Sequence, residues 1–227
     1  MIKKGEVRMI LKYFLPPFFC VVMIGCTSTS YTAKKFNKYR VRTMVYIKPC
    51  ISVGLVKEAN KDIYNDSLTK ISQDVVDSVL SRKKQKYNLT EQIFINNSYP
   101  DSIEQRIIKL SYSFAISHKR DTIKIDECLH HLIQKSSGNY VLMLVVKGFK
   151  RTDDNYSKKM LKTIGIAALT LGKYTTVWYK ANSILYMMVA DKNANKIIYF
   201  DQLEGGDPTN IKDMEGQISL LISSFRE

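Results

Sequence analysis

Seven consecutive apolar residues, Tyr140 to Val146, constrain this chain more than any other stretch. The run is rich in β-branched and aromatic side chains, bounded by Gly138 and Gly148, and it does not alternate with polar residues. It therefore predicts a central strand buried on both faces, and such a strand needs covering elements on two sides. Amphipathic helices are available to do this. Leu68, Ile71, Val75, Val76, Val79 and Leu80 recur at period 3.6 behind a start at Asp66 or Ser67. Pro100-Asp101-Ser102 opens a second helix with Ile103, Ile107, Leu110 and Phe114 on one face, and a shorter one is expected over Asp126–Gln134. A closing helix carries Ile211, Met214, Ile218, Leu221, Ile222 and Phe225. Further strands are expected at Met44–Ile47 and Ile51–Val56, as two strands or one broken at Pro49, and at Gln92–Ile95. A hairpin, Ile184–Ala190 with Lys196–Leu203, turns at Asp191–Asn195. The expected architecture is one α/β domain over residues 44–227, a mixed β-sheet with amphipathic helices packed against it.

Two segments sit less easily in that plan. Met160–Leu171 is apolar apart from Lys162 and two threonines, and too short to span a bilayer. Its length favours a packed helix, with a segment touching membrane or a second subunit as the other reading. Lys173–Lys180 reads as an exposed loop whose Tyr174, Trp178 and Tyr179 suit a partner surface or a membrane interface.

The N-terminus has a different character. Lys3, Lys4, Arg8 and Lys12 precede the apolar run Tyr13–Ile24, which contains Pro16 and Pro17 and ends at Gly25-Cys26. This is the pattern of an export signal and not of a spanning helix. Residues 1–25 are read as the signal peptide and residues 26–43 as a tether. The tether is polar at Thr27-Ser28-Thr29-Ser30, then basic at Lys34, Lys35, Lys38, Arg40 and Arg42. Its charge suits anionic headgroups or a protein partner, and equally a solvated leader. Without the signal's four basic residues and one acid, 31 basic and 20 acidic residues remain, a net charge of about +11. That balance favours anionic lipid, acidic glycan or acidic protein partners, with solubility as the plainer explanation; nucleic acid is not expected for an exported chain. Cys50 and Cys128 could pair in an oxidising compartment or stay free.

Partial matches to chemical motifs occur, and none is complete. Gly165–Lys173 has six residues between its glycines and Tyr174 after the lysine, unlike a phosphate-binding loop. Lys196 and Gln202 occupy the positions where a calcium loop beginning at Asp191 needs Gly and Glu. Asp126, Glu127, Cys128, His130 and His131 cluster without zinc-motif order, and no G-x-S-x-G elbow occurs. No catalytic residue, metal site or cofactor is expected, and the chain reads as a non-enzyme.

Met23-Ile24-Gly25-Cys26 resembles the bacterial lipoprotein signal, with Met where Leu is usual. The resemblance implies diacylglycerol and further acyl chains such as palmitate on Cys26. With no acid directly after that cysteine, it also implies a lipid anchor in the outer membrane, facing the periplasm. The layout is similar to small, uncharacterised outer-membrane lipoproteins. The strand Tyr140–Val146, the hairpin and the closing helix give a more distant likeness to the curli secretion-channel lipoprotein and to lipoprotein activators of penicillin-binding proteins. These resemblances imply a lipid-anchored binding or assembly module that recruits or supports another envelope protein. Its contact candidates are Lys34, Lys35, Lys38, Arg40, Arg42, Tyr174, Trp178 and Tyr179. The alternative is a subunit of an oligomeric outer-membrane secretion pore.

Overall fold

The chain is built around one long strand, with further strands on both of its edges. The computed structural model describes residues 30–34, 36–93, 100–171, 173–174 and 176–226. The expected signal peptide, Cys26, Lys35 and the end of the strand predicted at Gln92–Ile95 lie outside the described residues. The strands are β1 (Tyr31–Thr32), β2 (Met44–Ile47), β3 (Cys50–Val56), β4 (Asp62–Tyr64), β5 (Leu89–Ile93), β6 (Tyr140–Arg151), β7 (Ala181–Asp191) and β8 (Lys196–Glu204). The helices are α1 (Asp66–Arg82), α2 (Pro100–Ile116), α3 (Glu127–Gln134), α4 (Asp153–Leu169) and α5 (Ile211–Arg226).

β6 pairs antiparallel with β7 from Tyr140 to Lys150 on one edge. On its other edge it pairs in parallel with β2 and then with β3, so these two form one line interrupted at Lys48-Pro49. β8 and β1 extend the sheet beyond β7, while β5 flanks β2 and β4 flanks β3. The sheet is mixed, as the sequence implies. β6 continues through Gly148, which the sequence suggests as its limit. A Cβ there would meet the Asn182 carbonyl at 2.8 Å and Pro208 at 2.9 Å, so this glycine permits a close approach and does not end the strand.

Alternation along β6 divides its side chains between two cores. Leu142, Leu144 and Val146 join Leu185, Met187 and Val189 beneath α1 and α5, where Val76, Val79, Met214, Ile218 and Phe225 are buried. Val141, Met143 and Val145 face α2 and α3 with Ile107, Phe114, Leu129 and Ile133. The result is a single α/β domain in three layers. The caps differ in detail from expectation. Asn65, one residue before the predicted start, accepts from the Leu68 amide at 2.9 Å and caps α1, because its extended backbone places the carboxamide over the first turn. Ile71, predicted on the apolar stripe of α1, is 47 % exposed. The turn after β7 is held by Asp191, which accepts from the amides of Asn193 and Ala194.

Cys50 is buried in β3 and Cys128 is exposed on α3, and both are free thiols. Burial, with a smaller contribution from Glu104, pushes the Cys50 thiol up to about 12. In the native protein at pH 8, iodoacetamide is expected to label Cys128 rapidly and to leave Cys50 unlabelled until denaturant is added. Peptide mass spectrometry reads both sites, and equal native labelling of the two would contradict this placement.

Candidate functional site

The segment joining β6 to β7, residues 152–180, carries α4 away from the sheet, and residues 176–180 lead back to β7 without regular structure. We call it the arm. Its length of helix follows from local sequence. Thr152 caps α4 by accepting from the Asn155 amide, and Asp153 and Asp154 occupy the first turn, where negative charge suits the helix dipole. The helix ends at Thr170, whose amide donates to Ile166, and Leu171 takes a left-handed conformation at φ +50°.

The base of the arm is built on a buried guanidinium. Arg151 Nη1 donates to Asn155 Oδ1 at 2.9 Å, and Arg151 Nε donates to the Tyr179 carbonyl at 3.2 Å. The Arg151 amide donates to the Lys180 carbonyl at 2.7 Å. Asn155 Nδ2 in turn donates to the carbonyls of Lys57 and Ala59, both at 3.3 Å. The Arg151 guanidinium also lies 5.1 Å from the Phe149 ring and 5.5 Å from the Trp178 ring. Burial pushes its pKa down, and these acceptors and ring faces hold the charge in place. Lys180 and Asp153 close the outer side at 2.6 Å, and their hydrogen bond lowers the aspartate pKa and raises that of the lysine.

Beyond this base the arm is apolar and open. The sequence favours a packed helix over Met160–Leu171. Instead, Leu161 is 69 % exposed, Leu169 88 % and Leu171 90 %, with Ile164 and Ile166 exposed between them. Asn155 alone of the α4 residues is buried. The physical reason is position: β6 runs on to Arg151, so α4 starts past the covered part of the sheet. Tyr174 and Tyr179 are exposed as the sequence suggests. Trp178 is half-buried, its Nε1 donating to Thr163 Oγ1 at 2.8 Å under the Lys159 ammonium, which lies 4.6 Å from the ring. Lys158 and Lys159 drew no reading from the sequence, and Lys162 figured only as a polar interruption of the apolar run. With Lys57, Glu58, Ala59 and Asn155 they line an open cleft of about 330 Å³ at the arm's base, a cationic concavity suited to phosphate or carboxylate groups. The available signal was that no Asp or Glu occurs between Asp154 and Asp191.

The basic residues of the expected tether lie elsewhere. Residues 31–34 and 36–43 run along the domain. β1 pairs with β8, Ala33 is buried and its amide donates to Ile198, and Phe36 packs edge-on against Tyr140 at 6.2 Å. Tyr31 donates to Asp121 at 2.6 Å, and Lys34, largely exposed, pairs with the same carboxylate at 3.7 Å. Lys38 and Arg40 sit in a 3₁₀ turn, Lys38–Arg40, and Arg40 and Arg42 are exposed. This strip crosses the Tyr140 end of β6 and the arm leaves the Arg151 end. Twelve residues of strand separate them, about 40 Å. Asp126, from the metal-capable cluster, caps α3 and pairs with Arg106 at 3.0 Å.

The Arg151–Asn155 junction yields a prediction. Asn155→Leu leaves the guanidinium and two carbonyls short of partners and is expected to cost about 1–3 kcal/mol. Faster amide exchange over residues 153–169 and a lower melting temperature are expected. Exchange unchanged from wild type would show that the junction does not hold the arm.

No family model matches the chain, and no curated protein matches it. Two solved structures of the PelC dodecamer from Paraburkholderia phytofirmans are similar at TM-scores of 0.32 and 0.33, with 7% and 6% sequence identity. Both cover 86% of this chain, and 96% and 94% of theirs. Likeness this low carries nothing over about function or assembly.

Proposed function

We propose that this protein is a non-enzymatic, lipid-anchored module of the bacterial envelope. It sits at the outer membrane through acyl chains on Cys26, faces the periplasm, and recruits or supports another envelope protein. The supporting observation is the basic strip. Arg40 and Arg42 stand in solvent with no acidic partner among the described residues, on the end of the sheet opposite the arm. Exposed guanidiniums of this kind match carboxylates on a partner and speed its capture. The mature charge of about +11 points the same way.

Cross-linking in intact cells, followed by mass spectrometry, tests this reading. The wild type is expected to yield one dominant envelope protein, and Arg40→Glu with Arg42→Glu to lower that yield about tenfold. An unchanged yield contradicts the strip as the contact. Separately, the mature N-terminal peptide is expected to carry diacylglycerol on Cys26, and an unmodified N-terminus contradicts the anchor.

A further inference from the structure

Taking the chain to be a lipid-anchored envelope protein, as proposed above, we infer that the arm is a second membrane contact, with its apolar tip inserted into the interface of an anionic bilayer. Two observations carry this.

The first is the distribution of apolar side chains. At about 100° per residue, Leu161, Ile164, Ile166 and Leu169 spread over about 200° of the circumference of α4, and all are exposed; the remaining side includes Thr163, which holds Trp178. A protein groove receives one stripe of a helix, at spacings of three and four residues. Hydrocarbon accepts a helix tip from every side. The hydroxyls of the two threonines within Met160–Leu171 are already satisfied within the arm. Thr163 Oγ1 donates to the Lys159 carbonyl at 3.1 Å while accepting from Trp178, and Thr170 Oγ1 donates to Ile166 at 2.8 Å. Moving these groups out of water therefore strands no hydroxyl.

The second is charge. Lys158, Lys159 and Lys162 form a collar on the first turns of α4, and from Lys162 to Leu171 the tip extends by about 14 Å. With a tilt, that length fits the 5–10 Å to which interfacial helices bury their apolar surface. The collar then lies at the phosphates, Trp178 at headgroup level, and Lys173 reaches back toward water along its own stem. No carboxylate in the arm beyond Asp154 opposes an anionic surface.

Trp178 is the chain's single tryptophan and lies on the arm, so it reports the contact directly. The test incubates the full mature chain with vesicles containing phosphatidylglycerol and lipids brominated in the upper acyl region. Quenching and a blue shift of Trp178 emission are expected. They should be deeper in the Trp178→Phe, Leu169→Trp double variant, which moves the indole to the tip. Leu169→Asp with Leu171→Asp is expected to weaken vesicle binding about tenfold or more. Neutral phosphatidylcholine vesicles, or high salt, should reduce binding. Absence of quenching at both tryptophan positions overturns the inference, as does an arm protected only by a cross-linked protein. Equal binding to neutral vesicles overturns the role of the lysine collar. Quenching in a chain whose Cys26 carries no lipid would refute the anchor while leaving the arm's membrane contact intact.

Discussion

Two-sided burial of β6 is the constraint on which the other features depend. A strand with both edges paired and both faces covered has to be flanked by strands on each side and by helices above and below, and each of those elements is present. The even-numbered residues of Leu142–Val146 fix the position of α1 and α5, and the odd-numbered ones that of α2 and α3. Because β6 is long, its two ends are far apart and meet different surroundings. Tyr140 is crossed by the basic strip, while Arg151 carries the arm.

Arg151 marks the change from core to surface. It is the last residue of the strand, and its guanidinium is held by Asn155, by the Tyr179 carbonyl and by two aromatic rings. A charge held this way ties the outgoing helix, the returning chain and the β3–β4 loop at one point. The arm can therefore be apolar and exposed without collapsing onto the sheet, because its base is fixed by polar contacts that the sheet face does not offer. Rigid support beneath an exposed contact surface is what a binding element needs.

Much of this was legible in the residues, for identifiable reasons. Tyr140–Val146 announced a strand buried on both faces because nothing in it alternates. Ile107, Leu110 and Phe114, like Met214, Ile218 and Phe225, announced buried faces by their helical spacing. Met160–Leu171 was misleading, because apolar composition in a segment too short to span a bilayer suggests burial. What decides its exposure is that β6 passes through Gly148 and ends three residues later, a register fact fixed by pairing with Asn182 and Ala181. The strip at Lys34–Arg42 misled in the opposite sense. Its polarity suggested a free leader, yet two residues of β1, the buried Ala33 and the Phe36–Tyr140 contact lay it along the domain. β1 and β4 are short, and β4 is exposed throughout, so neither leaves a periodic signal. The lysine collar was overlooked because its meaning depends on α4 standing clear of the sheet.

In the proposed arrangement, one end of the sheet meets the bilayer and the other is presented away from it. Spin labels placed singly at Leu169 and at Arg42, in the protein bound to anionic vesicles, measure this directly through their collisions with oxygen and with a water-soluble relaxant. The Leu169 label is predicted to lie in the oxygen-rich acyl region, and the Arg42 label to remain fully exposed to the aqueous relaxant, about 40 Å of strand away. An Arg42 label at the headgroups with the Leu169 label in water would reverse the molecule and contradict the account.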